Sequence, residues 1–138
     1  MKRIITILLI VLSLVSFSSY VLAEDEASTR ASDYFASYGI SLSSAGSGRF
    51  NFTMNCSSVG TASQLGVSSY SIHKYTDAGW LVVASGSGSY KYNTSSYALS
   101  KTFNGVAGEQ YRVKCTFLCV KNGSAENKTY TSRTITAN

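Results

Sequence analysis

Three cysteines, one histidine and a few carboxylates are the residues of this chain whose chemistry could be more than structural. Cys115 and Cys119 stand four residues apart in one alternating segment, so their Cα atoms would lie about 13 Å apart on a strand. Because a disulfide requires less than about 7 Å, these two cannot bond to each other. Cys56 could bond to either of them, and a bond to Cys115 would close a loop of about 60 residues. Three buried free thiols are the alternative, and both interpretations stay open.

The histidine and the carboxylates do not form a readable catalytic or metal-binding pattern. His73 is the only histidine, and a general base requires an acid or a nucleophile beside it. A zinc site requires a different cysteine spacing and more histidine. We predict no metal, no cofactor and no enzymatic activity. The alternative is a small hydrolase, whose acids would have to converge from four separate positions: Asp33, Asp77, Glu109 and Glu126.

Aromatic residues give the clearest hint of a binding function. The chain holds ten tyrosines and one tryptophan, and such side chains on a rigid sheet can stack on sugar rings or enter pockets of a partner. Trp80, Tyr90 and Tyr92 border a Gly/Ser-rich stretch at 85–89. We therefore expect these three side chains on one edge of the domain, as a ligand-binding patch. Tyrosine is also a favoured strand residue, so a purely structural role is the alternative.

Strands must position these residues, because apolar and polar residues alternate along much of the chain. In the segment 111–119 every second residue is apolar: Tyr111, Val113, Cys115, Phe117 and Cys119. The segment 50–56 alternates in the same way, so both segments predict half-buried strands with a period of two. Asn122-Gly123 then supplies the two residues of positive φ that a tight hairpin requires.

The same pattern predicts an all-β fold. Further strands are expected at 38–42, 69–75, 80–84, 90–93, 97–103 and 128–136, with a Gly/Ser loop at 85–89. A helical turn over 33–38 is the alternative at the start, since two tyrosines stand four apart there. About seven short strands separated by turn residues are typical of two packed antiparallel sheets. The sequence therefore predicts a single β-sandwich.

The N-terminus has the three parts of a secretory signal peptide, residues 1–23. Lys2 and Arg3 form a positive start, residues 4–15 are mostly apolar, and the chain up to Ala23 ends in a small-x-small pattern. We predict cleavage after Ala23 and release outside the cell, so the chain would meet a membrane only through the signal segment. An uncleaved membrane anchor is the alternative.

The remaining chain suits one small domain with one core. Removing Lys2 and Arg3 leaves ten basic residues against seven acidic ones, a net charge of +3. No cluster of Lys or Arg stands out, so nucleic acid is not an expected partner. Residues 24–37 are predicted to form a flexible leader, and residues 38–138 the β-sandwich domain.

Four pieces of the second half fit one type of domain: Ser96-Tyr97-Ala-Leu99, Gly108-Glu-Gln-Tyr111-x-Val113, Asn122-Gly123 and Thr134-x-Thr136. With them, the chain resembles the second half of a fibronectin type III or related immunoglobulin-like domain. The resemblance implies that Tyr111 forms a structural tyrosine corner; an ordinary half-buried tyrosine is the alternative. Trp80 follows a turn, and Tyr111 precedes Cys115 by four residues rather than two, so a true antibody-type domain is not expected.

Other motifs lie earlier in the chain: Arg30-x-Ser32-x-Tyr34-x-x-x-Tyr38, Leu65-Gly66-Val67 and Gly79-Trp80. With them, about residues 1–136 are similar to a family of small secreted proteins from Gram-positive, clostridial-type gut bacteria. The resemblance implies that the protein is exported and that it comes from such a bacterium. It carries over no catalytic residue.

Together these observations predict a secreted, non-enzymatic binding or interaction module. Its expected ligand is a cell-surface glycan, peptidoglycan or another protein outside the cell. A structural protein that self-assembles through exposed strand edges is the second hypothesis, and the small hydrolase is the third.

Overall fold

The computed structural model describes residues 32–138, so the predicted signal peptide at 1–23 and most of the predicted leader lie outside the described residues. Within the described range the chain is all-β, as predicted, and every strand pairing is antiparallel. The seven strands are β1 (Phe35–Gly46), β2 (Arg49–Thr76), β3 (Gly79–Ser87), β4 (Tyr90–Asn104), β5 (Gln110–Lys121), β6 (Ser124–Thr131) and β7 (Ile135–Thr136). No helix long and apolar enough to cross a membrane occurs between residues 32 and 138.

Strand β2 organises the sheet because its two halves pair with different neighbours. Its first half, 49–58, lies between β1 and β4, with Cys56 opposite both Tyr38 and Tyr97. Its second half, 64–76, pairs along one edge with β5 and along the other with the start of β4 and then β3. β6 extends the sheet beyond β5, and β7 pairs with the start of β5. The sequence predicted two separate strands where the structure has this single 28-residue strand.

The sheet curls between the two halves of β2. The pairing with β4 is interrupted between Ser57 and Ala62, and Gly60 adopts a positive φ of 70°, which glycine tolerates without steric cost. The buried Ser58 hydroxyl donates a hydrogen bond to the Gly60 carbonyl. This local irregularity lets one long strand change direction, in the way that bulges bend sheets elsewhere.

Curling brings the apolar faces of the two halves together around one core. Phe50, at 0% exposure, has its ring centroid 5.4 Å from that of Tyr111 on β5. Tyr38 on β1 has its centroid 5.9 Å from that of Phe117 on β5. The predicted period of two is confirmed in both strands, since 50–56 and 111–119 bury every second residue. Burying each phenylalanine ring contributes roughly 1.5–3 kcal/mol.

Two turns show which local predictions the structure confirms and which it corrects. Asn122 and Gly123 adopt φ values of 50° and 76°, and Lys121 pairs with Ser124, so the two-residue hairpin is confirmed. The loop predicted at 85–89 is shorter than expected, because β3 continues through Ser87 and only residues 88–89 connect it to β4. The glycines serve close packing instead: a Cβ at Gly86 would overlap the hydroxyl of the Tyr70 ring.

The start of the first strand also differs from the prediction. β1 begins at Phe35, three residues before the expected domain start at 38, and no helical turn forms over 33–38. Phe35 is fully buried, and its ring centroid lies 5.6 Å from that of Tyr38. Because this ring fills the core, residues 35–37 belong to the folded domain rather than to a leader.

Candidate functional site

The structure does not bring the three predicted ligand-binding residues together. Trp80 pairs with Tyr75, whereas Tyr90 pairs with Gly66. These partners stand nine residues apart on β2, which corresponds to about 30 Å of extended strand. Tyr92 lies near Tyr90 and is 67% exposed. The expectation of one common patch is therefore wrong: the β2–β3 hairpin carries Trp80 to its turn and leaves the two tyrosines at the opposite end.

Trp80 instead belongs to a small cluster on the outer face, the face of β3, β2 and β5 that is turned away from the core. The ring centroids of Tyr75 and Trp80 are 5.3 Å apart in an edge-to-face arrangement. The guanidinium carbon of Arg112 lies 4.2 Å from the centroid of the Trp80 ring, within the range of a cation–π interaction. Arg112 reaches this position because it lies between the buried Tyr111 and Val113 on β5 and must point outward.

Beside this cluster the outer face holds an open groove of about 610 Å³, which we call the serine groove. Its floor consists of serines that face each other in the register, Ser69 opposite Ser87 and Ser71 opposite Ser85. Longer side chains rise around the floor, notably His73 and Lys114. Small residues on adjacent strands, bordered by long ones, create a depression in a surface that a sheet would otherwise leave flat.

The serine groove is electrically positive. His73 Nε2 lies 2.8 Å from the Ser71 hydroxyl, and His73 is paired with Arg112 in the register. Burial lowers the pKa of His73, and the charges of Arg112 and Lys114 lower it further. Of the described residues that line the groove, none is a carboxylate, so its positive potential comes from Lys114 in the lining and from Arg112, which lies beside it opposite His73.

The four carboxylates named from the sequence lie elsewhere. Glu109 forms an ion pair with Lys74 at 3.7 Å, and Glu126 forms one with Lys128 at 3.0 Å. Asp77 follows the end of β2, and Asp33 precedes β1. Over residues 32–138, no three His, Cys, Asp or Glu side chains are grouped so that they could hold a metal ion.

The three cysteines lie in the core as free thiols. Burial, together with a smaller contribution from Cys119, raises the pKa of Cys56 to about 12. Burial also raises the pKa of Cys115, with Cys56 as the second cause. Cys56 thus interacts electrostatically with both β5 cysteines, and its bond to Cys115 or to Cys119 stays a prediction. As thiols these groups are poor nucleophiles, because the thiolate is the reactive form.

Tyr111, for which the resemblance predicts a tyrosine corner, lies near the start of β5. Its hydroxyl accepts a hydrogen bond of 2.9 Å from the backbone N–H of Val106, and the residue is 2% exposed. The ring contacts Phe103 at a centroid distance of 5.5 Å. A Cβ at Gly105 would lie 2.9 Å from the ring, so glycine lets the chain before β5 pass close to this tyrosine.

Sequence reasoning missed most of the groove, although one signal was present. The period that buries Val113 and Cys115 sends Arg112 and Lys114 to the opposite face, so both cations could have been assigned to the outer surface. Their meeting with the serines of β2 and β3 depends on the register, which the sequence alone does not give. No protein-family model matches the chain, and a search of curated proteins found no match.

Proposed function

We propose that this protein is a secreted, non-enzymatic binding module that holds its ligand in the serine groove, beside Trp80 and Arg112. The observation that carries the proposal is the groove itself: a concave, hydroxyl-lined surface with an aromatic residue at one end. Its volume of about 610 Å³ falls in the usual range of ligand sites, about 300–1,000 Å³. Secretion rests on the sequence of residues 1–23, with cleavage after Ala23, and the Gram-positive bacterial origin rests on the motif resemblance.

The proposed fold is an immunoglobulin-like or fibronectin-like β-sandwich. β1, the first half of β2 and β4 would form one layer, and β3, the second half of β2, β5 and β6 the other. The ring contacts of Phe50 with Tyr111 and of Tyr38 with Phe117 support two layers packed face to face. The hydrogen bond of Tyr111 at the start of β5 supports the resemblance to these domains.

Binding fits the groove better than hydrolysis does. Ser71 and His73 are within hydrogen-bond distance, as a nucleophile and its base would be. A base that takes a proton becomes an imidazolium, however, and Arg112 and Lys114 disfavour that charge and lower the pKa of His73. In a catalytic triad a carboxylate stabilises the imidazolium, whereas here cations face it.

A pull-down with purified protein tests the proposal against Gram-positive cells, isolated cell wall and a glycan array. Trp80→Ala removes the aromatic ring beside the groove, and we expect it to weaken saturable binding about tenfold. Tyr92→Ala is the matched control, because Tyr92 is 67% exposed. It lies on β4, opposite Gln64 and far from Trp80. Equal binding by wild type and the Trp80 variant would contradict the proposed location.

Self-assembly is a second candidate, and the edge strand β3 favours it. Among the described strands β3 pairs with β2 alone, its nine residues carry no charge, and Leu81, Val82 and Val83 are 57%, 55% and 40% exposed. Uncharged apolar edges promote association. A bulge at Val83, between the pairs of Ile72 and His73, works against regular edge pairing. Sedimentation of wild type and Val83→Lys decides: a concentration-dependent dimer lost in the variant would favour self-assembly.

A further inference from the structure

The cations of the serine groove are concentrated on one small area. Arg112 and Lys114 stand two residues apart on the outward face of β5, so their Cα atoms are about 7 Å apart. Arg112 lies opposite His73, and Lys114 lies opposite Ser71. None of the described carboxylates lines the serine groove, and like charges so close together repel each other. A bound anion would relieve that repulsion.

Arg112 is already held in a geometry suited to an anion. Its guanidinium lies on the Trp80 ring at 4.2 Å, which restricts the rotation of a long side chain before any ligand arrives. Its Nε atom is buried without a hydrogen-bond partner among the described residues. A guanidinium fixed in this way can offer its remaining N–H groups as a fork to a carboxylate, sulfate or phosphate.

The rest of the groove suits a hydroxyl-rich ligand. Ser69, Ser85, Ser87 and Thr116 line it with small hydroxyl groups, which can both donate and accept hydrogen bonds. A nucleic-acid groove would instead expose a series of aromatic rings for base stacking. Here Tyr70 lines the groove but packs its ring against Phe52 in the core, and Trp80, beside the groove, is partly covered by Arg112. These features favour a saccharide that also carries negative charge.

We infer that the ligand of the serine groove is an anionic polysaccharide, whose acidic groups bind Arg112 and Lys114 and whose hydroxyls bind the serines. This inference rests on the proposed function and narrows it to one class of ligand. The acidic group could be a carboxylate, a sulfate or a phosphate ester, which present the same paired oxygens to a guanidinium.

Calorimetric titration of the purified protein distinguishes the three kinds of acidic group. The probes are polygalacturonate for carboxylate, heparin for sulfate, poly(glycerol phosphate) for phosphate and neutral dextran as the uncharged comparison. We expect saturable binding to at least one anionic polymer and none to dextran. Lys114→Gln should weaken binding about tenfold, because it removes a charged hydrogen-bond donor at an exposed position that does not support the core.

Lys101→Gln is the matched control, since Lys101 is an exposed lysine on β4, opposite Phe52 and away from the groove. An equal loss in both lysine variants would overturn the inference by showing diffuse charge attraction. Equally tight binding of single-stranded DNA would overturn the saccharide assignment. If wild-type protein binds cell wall or dextran through Trp80 but binds no anionic polymer, this inference fails and the proposed function stands. If it binds none of these, both fail.

Discussion

The backbone N–H of Val106 donates a hydrogen bond of 2.9 Å to the hydroxyl of Tyr111, and this bond ties the turn before β5 to the core. Val106 itself is 59% exposed, so the turn has little apolar contact of its own. The tyrosine ring is buried against Phe50 and Phe103, which gives the hydroxyl a fixed position. One side chain thus connects the path of the chain into β5 with the packing of the two halves of the sheet.

Tyr111→Phe tests how much the hydrogen bond between Val106 and Tyr111 contributes to stability. The substitution keeps the ring in the core and removes only the hydrogen-bond acceptor of Val106. We expect a loss of about 1–2 kcal/mol in the free energy of unfolding, because a partly buried N–H loses its partner. Urea denaturation measures it, with Tyr92→Phe as the control, since Tyr92 is 67% exposed. Equal stability of both variants would show that the bond does not anchor the turn.

The hairpin between β5 and β6 offers a second stability test. Gly123 has a φ of 76°, a conformation that disfavours residues with a Cβ. Gly123→Ala should destabilise the protein by about 1 kcal/mol through backbone strain alone, since a Cβ there meets no described atom within 4 Å. Gly39→Ala is the matched control: it has the same free space without a positive φ. Thermal unfolding measures the effect, and an equal fall of the melting temperature in both variants would contradict this explanation.

The β5–β6 hairpin and Gly86 of β3 show what the sequence can and cannot predict. Asn122-Gly123 is local information, and the alternation of 111–119 is local too, so the hairpin and the buried face of β5 followed from the residues. The role of Gly86 did not, because it depends on Tyr70, a residue of another strand. Glycine marks turns and close contacts alike, and only tertiary structure separates the two cases.

The candidate site was harder to predict than the fold for the same reason. The serine groove joins residues of three strands, and their meeting depends on a register that shifts at two bulges, between Val67 and Ser69 and between Ile72 and His73. Each shift of one residue moves side chains to the other face. The prediction from Trp80, Tyr90 and Tyr92 assumed that nearness to a loop means nearness in space, but β3 continues through most of that stretch.

The thiols allow a prediction about reactivity. Because burial raises the pKa values of Cys56 and Cys115, almost no thiolate is present at about pH 8. We expect a thiol-specific reagent such as dithionitrobenzoate to react slowly with the native protein and rapidly with all three cysteines in denaturant. Fast reaction of the native protein would contradict the burial of these groups.

Controlled oxidation of the same thiols tests the pairing. Cys56 interacts with both other cysteines, whereas Cys115 and Cys119 stand four apart on one strand. Mass spectrometry should therefore find a single bridge that always includes Cys56. Cys56→Ala should prevent any intrachain disulfide in the folded protein, while Cys119→Ala, the matched control, leaves the bond from Cys56 to Cys115 possible. A bridge between Cys115 and Cys119 in native protein would overturn the strand assignment.

The histidine of the serine groove makes the proposed anion binding dependent on pH. His73 faces Arg112 and Lys114 of β5, Ser71 of its own strand, and β3, a strand without titratable side chains. Its lowered pKa keeps it neutral near pH 7. As pH falls through that pKa, the groove gains a third positive charge. A bound anion favours the imidazolium, so affinity for an anionic polymer should rise as pH falls.

The contribution of His73 to stability has the opposite sign. In the unfolded chain its pKa returns to about 6.5, so the unfolded state takes up the proton at a higher pH than the folded state does. The stability that the neutral imidazole contributes is complete above about pH 6.5 and declines as pH falls below it.

Calorimetric titrations from about pH 7.5 to pH 5, with parallel unfolding curves, separate the effect of His73 on affinity from its effect on stability. In His73→Gln, which keeps a polar side chain without a titrating group, both pH dependences should become weaker, and an unchanged affinity profile would place the titrating group elsewhere.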